Sequence, residues 1–185
     1  MATMEKLWLD FPETWTLDGG MEATVRPMVK GDRDKLLQFF TQIPGDELRL
    51  LKDDVTDARV IDQWARDLNY DRVLPLVVEV GGRIIADASL HRRKQGWRRH
   101  LGSIRVVVDP AYRSRGLASR LIEELADLAA REGVERLYTE IPADDTPALE
   151  LFRARGFKQV ARLDDHILDR KGKYHDLVLF CLELA

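Results

Sequence analysis

Residues Ile104 to Gly133 constrain this chain more than any other stretch. Ile104 to Val108 reads as a β-branched run, the mark of a strand buried on both faces. Pro110 ends it, because proline has no N–H for a sheet and biases Asp109 toward an extended backbone. Further on, Leu117, Leu121, Ile122, Leu125, Leu128 and Ala129 recur at helical spacing as far as Gly133, a suitable C-terminal stop. Arg120 with Glu124, and Asp127 with Arg131, stand four residues apart on the opposite, solvated side. A buried strand running straight into an amphipathic helix implies a sheet with helices packed on it.

Between that strand and helix lies Arg113-Ser114-Arg115-Gly116-Leu117-Ala118. A helix N-terminus offers unpaired N–H groups and roughly half a positive charge, which suits a phosphate. Gly116 lets a ligand approach the backbone, and two arginines add charge. The loop is neither a Walker A sequence nor a dinucleotide Gly-x-Gly-x-x-Gly. The same residues also fit an ordinary strand–helix turn with solvated arginines.

At 185 residues the chain suits one domain that buries a core without disulfides or metals. A formal net charge of −3 argues against general affinity for nucleic acid or anionic membranes. One cysteine, Cys181, fits a reducing compartment and, within the apolar run Val178 to Leu182, reads as core. Glu5, Lys6 and Asp10 interrupt the apolar residues at the start, so no signal peptide is read there. No uncharged apolar run approaches the ~20 residues of a membrane span. The expected location is cytoplasmic. His91, His100, His166 and His175 lack metal-ligand spacing, and no metal is expected.

In chain order, residues 1–21 read as an N-terminal arm whose Trp8 and Trp15 need burial, on the domain or on a second subunit of a homodimer. The domain itself is expected over residues 22–185. Ala23 to Pro27 reads as its first strand, and Asp32 as the cap of a helix through Gln42. Asp46 to Asp54 is ambiguous, with Leu48, Leu50 and Leu51 expected to line an acceptor side. Thr56 to Asn69 reads as a second helix. Leu74 to Val80 and Arg83 to Leu90 read as a hairpin across Gly81-Gly82. The turn from His91 to His100 carries five lysines or arginines and Trp97, and is read as a solvated tip with a contact role as the alternative. After the central strand and helix come a strand from Arg136 to Ile141, a short helix from Pro147 to Arg155, and strands at Phe157–Leu163 and Lys173–Leu184.

The loop residues resemble the acyl-CoA signature of the GNAT superfamily of N-acetyltransferases. The pattern Arg/Gln-x-x-Gly-x-Gly/Ala is met from Arg113 to Ala118, and the preceding Val-x-x-Pro-x-Tyr-Arg by Val107, Pro110, Tyr112 and Arg113. A second pattern, Asn-x-x-Ala-x-x-Leu-Tyr-x-x-x-Gly-Phe, is met by Ala148, Leu151, Gly156 and Phe157. Asp145 stands in place of its Asn and Phe152 in place of its Tyr. The resemblance covers about Ala23 to the C-terminus. It implies a single α/β domain of the GNAT fold, with a mixed sheet of about six to seven strands flanked by helices.

The resemblance further implies transfer of an acetyl group from acetyl-CoA to an amine of a protein or small molecule. Backbone groups of Val106, Val107 and Val108 would pair with the pantetheine arm like an added strand. The N–H groups of Arg115, Gly116, Leu117 and Ala118 would hold the pyrophosphate, with Arg113, Ser114, Asp145 and Phe152 also at the cofactor. Thr139-Glu140-Ile141 resembles the base-bearing triplet of the ribosomal-protein branch, twelve residues before the tyrosine position at Phe152. Glu140 is thus the candidate general base, with a solvated strand-end glutamate as the alternative. Asp87 and the histidines are lesser candidates. Phe152 has no hydroxyl to protonate a thiolate; water or Tyr138 would have to substitute, or the leaving group departs unaided. The competing function is a non-catalytic acyl-CoA-binding sensor or interaction module. Membrane and nucleic-acid partners are not expected.

Overall fold

The computed structural model describes residues 10–48, 51 and 53–184. Eight strands form one sheet: β1 Glu13–Leu17, β2 Met21–Pro27, β3 Val73–Val80, β4 Arg83–Arg92, β5 Leu101–Val108, β6 Arg136–Pro142, β7 Lys158–Leu168 and β8 Tyr174–Glu183. Their order is β1-β2-β3-β4-β5-β6-β8-β7, and every neighbouring pair is antiparallel except β5 with β6. Five helices accompany it among the described residues: α1 Arg33–Phe40, α2 Gly45–Leu48, α3 Ala58–Arg66, α4 Leu117–Arg131 and α5 Thr146–Ala154.

The strand that sequence periodicity did not anticipate is β1. Glu-Thr-Trp-Thr-Leu alternates, and Trp15 and Leu17 point into the core at 2% and 4% exposure. Asp18 to Gly20 is therefore the turn of a β1–β2 hairpin, closed by Gly20 N–H to the Leu17 carbonyl at 3.0 Å. The sheet has eight strands for this reason, one more than the upper expectation. Trp8 and Leu50 lie outside the described residues.

Two cores flank the sheet. On one face Leu121, Ile122, Leu125, Leu128 and Ala129 of α4 pack against Ala86, Ala88, Leu90 and Ile104, joined by Phe152 and Phe157. On the other face Leu36, Phe39 and Phe40 of α1 and Ile61 of α3 pack on Val77 and Ile84. Each such leucine or phenylalanine taken fully out of water contributes about 1.5–3 kcal/mol.

Asp32 departs from the capping role expected of it. It precedes α1 but makes no side-chain cap bond. Its carboxylate instead takes two 2.7 Å bonds from Arg26 and one of 2.8 Å from the Val29 N–H. A buried carboxylate gains more from a bidentate guanidinium than from one helix N–H. Burial pushes its pKa up, but Arg26 and Val29 outweigh that and hold it below the ordinary range. The expected helix from Thr56 begins at Ala58, because Asp57 caps it through the Arg59 N–H at 3.0 Å.

The parallel pair β5–β6 sets the geometry of the site. At Gly102 an added Cβ would meet Leu137 Cδ2 at 3.0 Å, Leu90 Cδ1 at 3.1 Å and Val134 Cγ1 at 3.2 Å. These side-chain ends leave a Cβ little slack, so glycine suits the close packing at this end of the strand. Their register runs from Leu101–Arg136 to Ser103–Tyr138, and among the described residues it ends there. β5 continues to Val108 along β4, whereas β6 continues to Pro142 along β8. The strands part, and one edge of Ile104 to Val108 is left without a strand partner. Val106 and Val107 are consequently half-buried, which corrects the expectation of burial on both faces.

Candidate active site

The loop after β5 is tightly built. Asp109 accepts from the Ala111 N–H at 2.9 Å and opens a 3-10 turn, Pro110–Tyr112. Ser114 and Gly116 then take left-handed backbone with φ of 58° and 73°. At Gly116 an added Cβ would meet nothing within 4 Å, so the space over that residue is open. Arg120 N–H bonds the Gly116 carbonyl at 3.1 Å, and the N–H groups ahead of it in α4 have no intrahelical acceptor. Two left-handed residues thus carry the chain from the end of β5 into the first turn of α4.

The arginines of this loop are differently employed from the charge donors expected. Arg113 gives Nε to the Val108 carbonyl at 3.1 Å and both terminal nitrogens to Glu47 of α2, at 2.9 and 2.6 Å. Glu47 holds that guanidinium's pKa above its ordinary value. Arg115 reaches the Asp18 carbonyl at 3.3 Å, bracing the β1–β2 turn. Leu117 is a core side chain at 2% exposure, so only its backbone faces the loop. Ala118 packs against the same core, and Ser114 is exposed.

Asp145 caps α5, accepting from the Ala148 N–H at 3.1 Å. Phe152 lies within the α4–α5 core, edge-on to Phe157 with ring centres 5.1 Å apart and planes at 89°. Glu140 is exposed on β6, opposite Leu179 of β8. Leu137 and Ile141 point into the α4-side core, so Tyr138 and Glu140 point to the other face by strand alternation. Tyr138 stands beside Cys181 across the β6–β8 register. Burial, and then the Cys181 thiol, push the tyrosine's pKa up.

The same alternation on β4 turns Ala86, Ala88 and Leu90 toward α4 and leaves Asp87, Ser89 and His91 on the opposite face. Ser89 Oγ and His91 Nε2 are 3.0 Å apart. Arg105 of β5 shares this face, 2.8 Å from Asp53 and 5.7 Å from the Trp64 ring centre. The polar row was legible as polar residues at every second position between alanines and a leucine. No motif names Asp87, so sequence pattern alone leaves it a lesser candidate.

A second arrangement, invisible in the sequence, joins the β7–β8 turn to the rest of the domain. His175 is buried with Nδ1 3.2 Å from Asp144 and Nε2 3.0 Å from Asp169. It ties the β7–β8 turn to the loop ahead of α5. Arg170 in that turn donates to the Leu48 carbonyl and to Thr56, both at 3.2 Å. Its partners are far apart in sequence, which is why spacing gave no hint. No group of three His, Cys, Asp or Glu able to hold a metal occurs among the described residues. A cavity of about 640 Å³ lies elsewhere, between the β4–β5 turn and the far end of α4. Its cations are largely engaged: Lys94 with Asp71, Arg131 with Asp10, and Arg92 with Glu132.

A β5 edge without a partner, beside open helix N–H groups and below a left-handed glycine, is a backbone cradle. The Acetyltransferase (GNAT) family matches residues 37–157, which contain all of it. The chain belongs to the GNAT acetyltransferase family. Among curated relatives, the Mycobacterium tuberculosis N-alpha-acetyltransferase RimI is 49% identical over 55 residues, covering 30% of this chain and 33% of that protein. The Streptomyces coelicolor L-2,4-diaminobutyric acid acetyltransferase is 44% identical over 64 residues, covering 34% and 38%. The chain thus aligns with about a third of the length of either relative. Among solved structures, yncA of Salmonella typhimurium, described as a putative acetyltransferase with its cofactor acetyl-CoA, has the same fold. Its TM-score is 0.74 at 23% identity, with 88% of this chain and 94% of that one covered. No helix among the described residues of this GNAT chain is long and apolar enough to cross a membrane.

Proposed function

We propose that this GNAT protein transfers an acetyl group from acetyl-CoA directly to a primary amine. The observation that carries the proposal is the parting of β5 from β6 beside Gly116. Pantetheine amides need extended backbone partners. In the stretch Val106, Val107 and Val108, the Val106 N–H and C=O and the Val108 N–H are turned to the unpaired edge, while Val107 pairs with Asp87 of β4 and the Val108 carbonyl accepts from Arg113. The pyrophosphate needs N–H donors, and the segment from Arg115 to Ala118 supplies these at the start of α4. Arg113, Ser114 and Asp145 shape this cradle. Arg113 does so through Glu47 rather than through direct contact with phosphate.

The amine arrives from the face carrying Tyr138 and Glu140. It loses two protons in all: one to become a nucleophile, and one after its nitrogen has bonded to the carbonyl carbon. Glu140 is the exposed base for such a transfer, directly or through one water. Phe152 forms part of the wall behind the thioester but donates no proton. Thiolate, with a free-thiol pKa of about 8.5, leaves without strong acid assistance. The acceptor is an amine of a protein or small molecule, and relatives named for a protein N-terminal activity and for a diamino acid span that range.

The buried phenyl ring of Phe152 favours one second reading, an acyl-CoA-binding module without turnover. CoA release from acetyl-CoA, measured over a panel of amines with calorimetric binding alongside, separates the two. Binding with amine-dependent release supports the enzyme. Binding without release on any amine supports the module.

A further inference from the structure

Asp87 is a charged side chain that the fold itself does not explain. Its carboxylate receives no hydrogen bond among the described residues, and the one charge acting on it is Arg105, diagonally across on β5. Arg105 is already paired with Asp53. Buried carboxylates are ordinarily hydrogen-bonded or paired, because leaving water without compensation is costly. The contrast with Asp32, another acid packed against this sheet, is direct: that one is gripped three times.

Its surroundings are otherwise apolar. Val77 of β3 and Val107 of β5 are its cross-strand partners, and Trp64 of α3 packs in the same cluster. Ser89 and His91 follow on its own strand and bond to each other. Glu79, further along β3, is occupied by Arg26 and Lys35. Yet Asp87 is not sealed off and keeps part of its surface open.

Its position matters as much as its isolation. Asp87 lies beside Val107, at the segment of β5 that has no partner on the β6 side. Glu140 lies on the other side of that segment and on the same face. Two inter-strand spacings put the two strands roughly 10 Å apart or more, leaving room for a nitrogen and a thioester between the carboxylates.

We infer that Asp87 is a second catalytic carboxylate of the acceptor site, which receives the acceptor's ammonium group and takes its first proton. This rests on the acetyltransferase reading above. The ammonium gives one proton to Asp87. The freed nitrogen pair attacks the thioester carbon, forming the N–C bond as the C–O electrons move to oxygen. Collapse of that intermediate breaks the C–S bond, whose electron pair leaves on sulfur. The nitrogen's second proton passes to Glu140 and then, through water, to the thiolate. Products are the acetamide, CoA thiol and one proton released from Asp87 to solvent. An uncompensated carboxylate on an apolar floor attracts a cation and takes up a proton more readily than a solvated one. Burial pushes Asp87 up to about 6 against the pull of Arg105, close to working pH.

The test uses the full chain with n-butylamine as acceptor probe. Asp87→Asn should bind acetyl-CoA within twofold of wild type while kcat/KM for n-butylamine falls on the order of 100-fold at pH 7. The acidic limb of the wild-type profile near pH 6 should vanish, and Asp87→Glu should regain part of the rate. In parallel, ¹³C NMR of the Asp87 carboxyl in CoA-saturated protein should show its titration moving to lower pH when n-butylammonium is added. Turnover within twofold of wild type with the limb retained would overturn the inference. So would an Asp87 resonance that n-butylammonium does not move. If wild type binds acetyl-CoA but is inert toward n-butylamine, the resonance alone decides. If acetyl-CoA does not bind, it is the acetyltransferase reading that fails.

Discussion

Asp87 and Glu140 project from the same face of the sheet on opposite sides of β5, one set in an apolar floor and the other exposed to solvent. Strand alternation fixes this: each is one residue out of step with neighbours that fill the α4-side core. The exposed member is the simpler to test. Glu140→Gln should lower kcat by on the order of 10²–10⁴ with acetyl-CoA affinity little changed. The deficit should persist at high pH, because free amine still has to lose a proton after its nitrogen has bonded to the carbonyl carbon. Wild-type turnover by this variant at neutral pH would hand the role to another group.

The isolated carboxylate should also weaken the fold at alkaline pH. Below about 3.8 Asp87 is protonated in both states and costs nothing. Between there and about 6 the unfolded chain has released a proton that the folded chain still holds, so stability falls as pH rises. Above that window the loss is complete, on the order of 3 kcal/mol. Asp87→Asn, which cannot ionise, should therefore be more stable than wild type in urea melts at pH 8 and nearly equal at pH 4. An equal difference at both pH values would contradict this.

Phe152→Tyr adds the hydroxyl that the family motif carries, inside a core where the ring meets Phe157 edge-on. If thiolate departs unaided, kcat should change by less than about tenfold. The new hydroxyl must find a partner or cost about 1–3 kcal/mol, which thermal melting reads independently. Amine-dependent CoA release that appears only in the tyrosine variant would instead favour a binding module.

Arg92 and Glu132 form a buried ion pair with side-chain exposures of 3% and 4%, and Arg92 Nε has no partner among the described residues. Burial lowers the arginine's pKa. Removing one partner strands the other charge, so Glu132→Leu alone should cost about 3–5 kcal/mol. The double change Arg92→Met with Glu132→Leu should recover most of that, as chemical denaturation will show. A double variant as unstable as the single would mean that the pair itself stabilises the fold.

Much of this architecture could be read from local pattern. The β-branched run from Ile104 to Val108, the helical repeat from Leu117 to Ala129 and the β3–β4 hairpin are each local patterns, and the structure has them within a few residues of expectation. What local period missed was set by pairing and side-chain contact. β1 read as part of an arm packed on the domain or on a second subunit rather than as a strand, because its five residues pair with β2 across a short turn at two glycines. Asp32 looked like a cap because sequence cannot show Arg26 reaching it across a turn. Val106 looked buried because a single strand's sequence does not show that β5 stays with β4 while β6 stays with β8. The candidate cofactor loop was legible as a motif, but the engagement of Arg113 by Glu47, 66 residues away, was not.

The central claim is that acetyl-CoA sits on the backbone at Gly116, and calorimetric titration of acetyl-CoA tests it directly. With φ at 73°, any side chain there pays backbone strain, which Gly116→Ala isolates from steric block. Gly116→Glu adds bulk and negative charge in the open space above the loop. The account predicts a wild-type isotherm, modest weakening in the alanine variant and no detectable binding in the glutamate variant, all with native far-UV spectra. Unchanged affinity in a folded Gly116→Glu protein would contradict it.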